Sequence, residues 1–153
     1  MKNVILITNS FPFGIAEAGF LAPEYEVLKE KADVYTVTRN TKDKMTTSVP
    51  EDRVFRYASH YGKSAFVYFL KALVSPMYYR ELAYLKREKK LTFSNAKRAL
   101  TTLMRAFHFE TFLKKVRSRA DGECVLYTYW NDYTALSAAL DEKKGDRVVS
   151  RIH

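Results

Sequence analysis

The run Val4-Ile5-Leu6-Ile7-Thr8 decides the fold. It is apolar without alternation and rich in β-branched residues. A strand of that composition is buried on both faces, and burial on both faces marks a central strand of a parallel sheet. Residues 9–18 then read as a loop holding Pro12 and Gly14. Residues 17–31 read as a helix, with Phe20, Leu21, Tyr25 and Leu28 on one face. A second strand is expected at 33–38, a polar loop at 39–52, and a short third strand at 53–57. Residues 124–129 form a fourth strand, 131–142 a short helix, 143–147 a turn and 148–152 a fifth strand. Strands alternating with helices give an α/β fold with a parallel sheet. Right-handed crossovers favour the doubly wound order 3-2-1-4-5. The switch point then falls between the first and fourth strands, where residues 9–17 and 129–132 trail into loops. His153 follows the fifth strand at the same edge.

Between the third and fourth strands lies a basic helical segment, 60–119. Phe66, Phe69, Leu70, Leu73, Val74 and Met77 repeat at helical spacing, and Pro76 is expected to break or kink that helix. Tyr78, Leu82 and Leu85 continue the stripe up to the charged run 86–90. Thr92 or Ser94 can cap a further helix to about residue 119, which Asp121-Gly122 ends. The segment carries 14 Lys and Arg against three acids, whereas the rest of the chain carries 12 basic and 14 acidic residues. The net charge of +9 therefore belongs to this segment. It points to an anionic partner such as phospholipid, a phosphate-bearing substrate or a nucleic acid. A specific nucleic-acid partner is not expected, since no nucleic-acid-binding motif accompanies the charge.

A chain of 153 residues, 47% apolar and 28% charged, suits one soluble globular domain. The single cysteine, Cys124, rules out an internal disulfide and reads as a buried, inert thiol. No stretch approaches a membrane span or a signal peptide's apolar region, so a cytoplasmic location is expected. The last residues, 148–153, read as a strand at the point where a loop should follow. The chain is therefore expected to be the first half of a larger enzyme.

The loop after the first strand lacks the glycines that dinucleotide or P-loop sites need, so NAD or ATP binding there is not expected. It reads either as an ordinary turn or as a loop shaping an acceptor pocket, with Glu17 at the helix start. Tyr127-Thr128-Tyr129-Trp130-Asn131-Asp132 leaves the fourth strand at the switch point. Aromatic faces beside amide and carboxylate groups suit a sugar. Trp130 equally suits a core anchor, and Asn131 or Asp132 an N-cap. No Cys/His cluster has metal-ligand spacing, and His60 and His108 read as structural or surface residues.

Val4-Ile5-Leu6-Ile7-Thr8, then Pro12-Phe13-Gly14, then Glu17 with Phe20-Leu21 and Glu24, resembles the start of GT-B type, family 4-like glycosyltransferases of polysaccharide biosynthesis. Tyr127-Thr128-Tyr129-Trp130 and Ser150-Arg151-Ile152-His153 also look like that group, in which the last run continues as S-R-x-H-G-x-D. The resemblance covers roughly 1–40 and 124–153. It implies that residues 1–153 are the Rossmann-like N-terminal half of a GT-B fold, the acceptor-side domain, acting on a lipid-linked or polysaccharide acceptor. The nucleotide-sugar donor would bind a C-terminal domain outside this chain, and the chain alone would be inactive. No metal or other cofactor is implied. His153 matches the family's active-site histidine and is the expected catalytic residue. Asn9, Gly14, Glu17, Trp130 and Asn131 are expected to line the acceptor cleft. The alternative expectation is a non-catalytic α/β module that binds anionic membrane, peripheral on the inner face of the cell membrane, through residues 63–119.

Overall fold

The computed structural model describes residues 2–39, 42–120 and 122–151, with Lys63 described by its backbone alone. Five strands, β1 (Lys2–Thr8), β2 (Ala32–Thr38), β3 (Val54–Arg56), β4 (Cys124–Thr128) and β5 (Arg147–Ser150), form one sheet of order β3-β2-β1-β4-β5. Every pairing is parallel, and β1 takes both central partners, with Val4 opposite Val34 on one side and Val125 on the other. The doubly wound α/β architecture expected from the sequence is the observed one. Among the described residues, no helix is long and apolar enough to cross a membrane.

The unbroken apolar run of β1 has its cause in the two layers of helices. Ile5 and Ile7 face one layer and pack with Val37, Leu126, Phe109, Leu113 and Val116. Val4 and Leu6 face the other and pack with Val34, Phe11, Leu21 and Tyr25. Ile5, Leu6 and Ile7 are almost completely removed from water. Each such side chain contributes on the order of 1.5–3 kcal/mol. Cys124 is buried at the foot of β4, as expected, and burial pushes its thiol pKa up.

Helix α1 (Ala18–Lys31) covers the Leu6 face through Leu21 and Tyr25. The basic segment folds as three helices, α2 (Ala65–Leu73), α3 (Pro76–Arg87) and α4 (Phe93–Arg117). The helix breaks at Pro76, one of the two expected outcomes, and Pro76 starts α3. Its missing N–H costs nothing at the first position of a helix, and Ser75 Oγ accepts from Met77 N–H at 3.3 Å as the cap. Thr92 caps α4, accepting from Asn95 N–H at 3.2 Å. The helix ends at Arg117, two residues short of the expected 119. Asp132 Oδ1 caps α5 (Tyr133–Asp141), accepting from Thr134 N–H at 2.8 Å, so α5 starts two residues later than the expected 131. Asp121, the expected stop, lies outside the described residues.

The apolar stripe read across 66–77 divides. Phe66, Val67, Leu70 and Val74 remain exposed, and Ala72 is the residue of α2 that is buried. Ala72 meets Leu103 and Phe107 of α4, with Met77, Tyr78 and Leu136 packed around them. Glu110, buried in α4, accepts from Lys71 Nζ at 3.0 Å and Lys114 Nζ at 2.6 Å and so ties α2 to α4.

The end of α4 is fixed by a buried cation. The Arg117 guanidinium donates to the Asp141 carbonyl at 2.9 Å and to the Asp146 carboxylate. Asp146 also accepts from Cys124 N–H at 3.0 Å and Lys143 N–H at 2.9 Å, joining α4, β4 and the 143–146 turn. Burial raises the Asp146 pKa, but these donors outweigh it and hold the group below its ordinary value. Its contribution is therefore complete above the unfolded-state pKa and is lost as pH falls through the lower folded-state value. Arg117 also lies 3.5 Å from the Asp141 carboxylate, so its removal leaves two carboxylates without their cation. Arg117→Ala should cost about 3–5 kcal/mol in urea unfolding, and the exposed Arg87→Ala should stay within about 0.5 kcal/mol. A loss below about 1 kcal/mol for Arg117→Ala would show that the cluster is not what fixes this corner.

Candidate functional site

Glu17 organises the loop after β1. It occupies the N-cap position of α1, and its backbone carbonyl accepts from Leu21 N–H at 2.9 Å. Its carboxylate turns back into the loop instead of capping the helix. There it accepts from the backbone N–H groups of Asn9 at 3.2 Å, Ser10 at 2.6 Å and Phe11 at 2.9 Å, and from Ser10 Oγ at 3.1 Å. Trp130 Nε1–H donates to the same carboxylate from the end of β4. Burial pushes the Glu17 pKa up, but these donors outweigh it and hold the group below the ordinary carboxylate value. Glu17 is thus an ionised, saturated anchor.

The adjacent contacts join the same two parts of the chain. Tyr127 Oη–H donates to Glu24 Oε1 at 2.6 Å, and Arg151 donates to Glu24 Oε2 at 3.0 Å. Phe20 stacks on Tyr129 at 5.0 Å between ring centroids, and the Arg151 guanidinium lies over the same tyrosine. Burial, then the Glu24 carboxylate, push the Tyr127 hydroxyl pKa up to about 12. At neutral pH it is therefore a donor.

The open space lies to one side of this seam. A cleft of about 790 Å³ is lined by Arg39 after β2, by Asn131, Asp132 and Tyr133 after β4, and by one face of α4. Because all strands run parallel, these ends share the carboxyl edge of the sheet. Lys97, Thr101 and Arg105 recur every four residues and Arg98 and Thr102 lie beside them, so α4 presents cations and hydroxyls as one strip. Four cations face one carboxylate in this cleft. Arg39 pairs with that carboxylate, Asp132, at 3.0 Å, and its guanidinium lies over Tyr133. A neighbouring hollow of about 330 Å³ continues past Arg39, Arg105 and Tyr133 to Tyr57, Ser59 and Tyr61 after β3. Beyond it, His108 Nδ1 meets the Tyr57 hydroxyl. Burial lowers the His108 pKa and so favours the neutral ring. Burial likewise raises the pKa of Tyr57.

Asn9, Glu17 and Trp130 are therefore brought together at one seam, where the Glu17 carboxylate is taken up by the loop and the indole. Gly14 adopts φ 68° and turns the loop into the 44–46 segment, where its N–H donates to the Lys44 carbonyl at 3.2 Å. A left-handed backbone is the reason for glycine there. Asn131 is exposed on the cationic cleft. His153 lies outside the described residues. Arg39, Lys97, Arg98 and Arg105 were not singled out from the sequence. For α4 the signal was the four-residue recurrence of Lys97, Thr101 and Arg105, which gains meaning only once that face is placed at the sheet edge. No group of three or more metal-ligating acidic, His or Cys side chains occurs among the described residues. Comparison with protein-family models, curated proteins and solved structures returns no match.

Trp130 is the single tryptophan and reports on the seam. Because the folded-state pKa of Glu17 is lowered, the seam should hold above the unfolded-state value and open as pH falls through the lower one. Tryptophan emission should change in that acid range. Glu17→Gln should abolish the acid transition and cost about 1.5–3 kcal/mol, the range for hydrogen bonds to a charged group. An unchanged acid transition in Glu17→Gln would remove Glu17 as its source.

Proposed function

We propose that residues 1–153 form the acceptor-binding domain of a nucleotide-sugar-dependent glycosyltransferase acting on a lipid-linked or polysaccharide acceptor. One observation carries the reading. The two blocks that bear the family resemblance, more than a hundred residues apart, meet residue by residue at the carboxyl edge: Glu17 with Trp130, Phe20 with Tyr129, and Glu24 with Tyr127 and Arg151. The motif residues thus act as one unit. Trp130 leads directly into Asn131 and Asp132, which line a cleft whose arginines and hydroxyls suit a hydroxyl-rich, phosphate-bearing acceptor.

In this reading an acceptor hydroxyl attacks the anomeric carbon of the donor sugar. The bond from that carbon to the nucleoside diphosphate breaks, and the hydroxyl proton passes to a base. The resemblance assigns His153 to the reacting centre, where a neutral imidazole can take that proton. Donor binding falls to a second domain outside these residues. Asn131 and the Arg39–Asp132 pair would orient the acceptor, and the Glu17 seam would hold their loop in place.

The alternative, a non-catalytic module on anionic membrane, draws support from Phe66, Val67 and Leu70 standing exposed on α2 and Val74 just after it, in the same segment as the basic run 86–90. Interfacial helices bury such apolar faces while cations meet lipid phosphate. Salt-sensitive sedimentation with anionic vesicles by a chain that supports no transfer in any donor-containing form would favour this reading.

In the protein carrying the donor-binding domain, His153→Ala should lower turnover more than ~100-fold and leave the fold intact. Residues 1–153 alone should transfer no sugar from any nucleotide sugar. Normal turnover by the variant, or transfer by the isolated domain, would overturn the assignment.

A further inference from the structure

The cationic cleft does not stand alone. A groove of about 550 Å³ lies between α3, α4 and α5, within the size range of small-molecule sites. Its apolar wall is Met77, Leu85, Ala99, Leu103 and Leu136. Arg98, Thr102 and Leu136 line both this groove and the cleft, so the two spaces meet along these side chains. Glu81 and Lys90 also line the groove and are opposite in sign, which leaves the excess positive charge in the cleft. An apolar slot therefore lies directly beside a cluster of three arginines and a lysine, with Arg98, Thr102 and Leu136 as their common wall.

We propose that the groove and the cleft together bind a single amphiphile, an alkyl or prenyl chain ending in a phosphate or diphosphate, which passes over their common wall. The chain lies in the groove against Leu85, Ala99 and Leu103, and the phosphate meets Arg98, Arg105 and Arg39. An apolar chain suits the slot because it removes those side chains from water, and the phosphate suits the cleft because guanidinium groups donate to it in pairs. Thr101, Thr102 and Asn131 supply neutral donors beside the cations. The chemistry is that of a lipid-linked phosphate, so the inference rests on the acceptor-domain reading and selects the lipid-linked acceptor over a polysaccharide. The Tyr57–Ser59–Tyr61 hollow would then receive whatever the phosphate carries.

The test titrates the 153-residue chain with inorganic phosphate and with butyl, octyl and dodecyl phosphate below their micelle concentrations. Dodecyl maltoside serves as a neutral amphiphile, and amide and methyl NMR shifts report the site. Affinity should rise roughly two- to fourfold per added methylene until the groove is filled. Dodecyl phosphate should shift Leu85, Leu103 and Arg98 together, while inorganic phosphate binds at least tenfold more weakly. Arg98→Glu and Arg105→Glu should each weaken dodecyl phosphate tenfold or more. Ala99→Phe should flatten the chain-length dependence while inorganic phosphate binding persists. The length series on the unmodified chain decides the matter even if a variant fails to fold.

Affinity independent of chain length would assign the cleft to free phosphate and overturn the proposal. So would equal binding of the maltoside, or a response to anionic vesicles without shifts in the groove. Transfer to a water-soluble acceptor by the donor-containing protein, with no groove binding, would overturn this inference and keep the transferase reading. Groove binding without transfer to any acceptor would do the reverse.

Discussion

Three successive backbone N–H groups, those of Asn9, Ser10 and Phe11, leave β1 with no strand or helix to pair them. One carboxylate answers all three, and that carboxylate, Glu17, also receives the indole N–H of Trp130. Unpaired donors at this depth would each cost about 1–3 kcal/mol. Glu17 therefore sets where the loop can run, and through Trp130 it sets where the end of β4 must sit. Phe11 and Phe13, both buried, fill the space the loop encloses. At the switch point of the sheet, commonly a ligand crevice, the loop after β1 and the end of β4 are thus tied together by one charge. The cationic cleft lies beside it, between Arg39, residues 131–133 and α4.

The sheet was legible because burial on two faces leaves an unmistakable mark. Val4 to Thr8 lacks alternation since Ile5 and Ile7 pack on one layer while Val4 and Leu6 pack on the other. Strand order then followed from the handedness of crossovers. Helix ends were less legible, because caps decide them and several residues compete. Thr92, Ser94, Asn131 and Asp132 all have capping side chains, and local geometry alone selects Thr92 and Asp132. Pro76 was ambiguous for the same reason, since proline at a first position and proline in an interior look alike in sequence.

The candidate site was half legible. Asn9, Glu17 and Trp130 do converge, as strand adjacency requires. Their pattern carried no sign that the carboxylate would be saturated by donors. The cations of the cleft were hidden differently. Lys97, Arg98 and Arg105 were counted as charge on a helix, and a count has no direction. Which face of α4 meets the sheet edge is set by Phe109, Leu113 and Val116, a turn or more further along. The apolar stripe of α2 misled in the opposite sense: Phe66, Leu70 and Val74 keep helical spacing yet stay in water.

Helix α4 is a 25-residue rod, roughly 37 Å long at 1.5 Å per residue. Its second half is part of the central core, while its first residues, Phe93 and Ser94, stand clear of it. Backbone amides along this one element therefore sample different depths of the energy landscape. Those near Asn95 can exchange with solvent by fraying, and those near Leu113 exchange only when the sheet itself comes apart. Slow exchange should thus form a gradient along a continuous hydrogen-bonded ladder. Whatever occupies the middle of the rod, around Thr102, sits at the boundary between the part that breathes and the part that does not. Occupancy there would move that boundary outward, extending the rigid body of the protein without altering its shape.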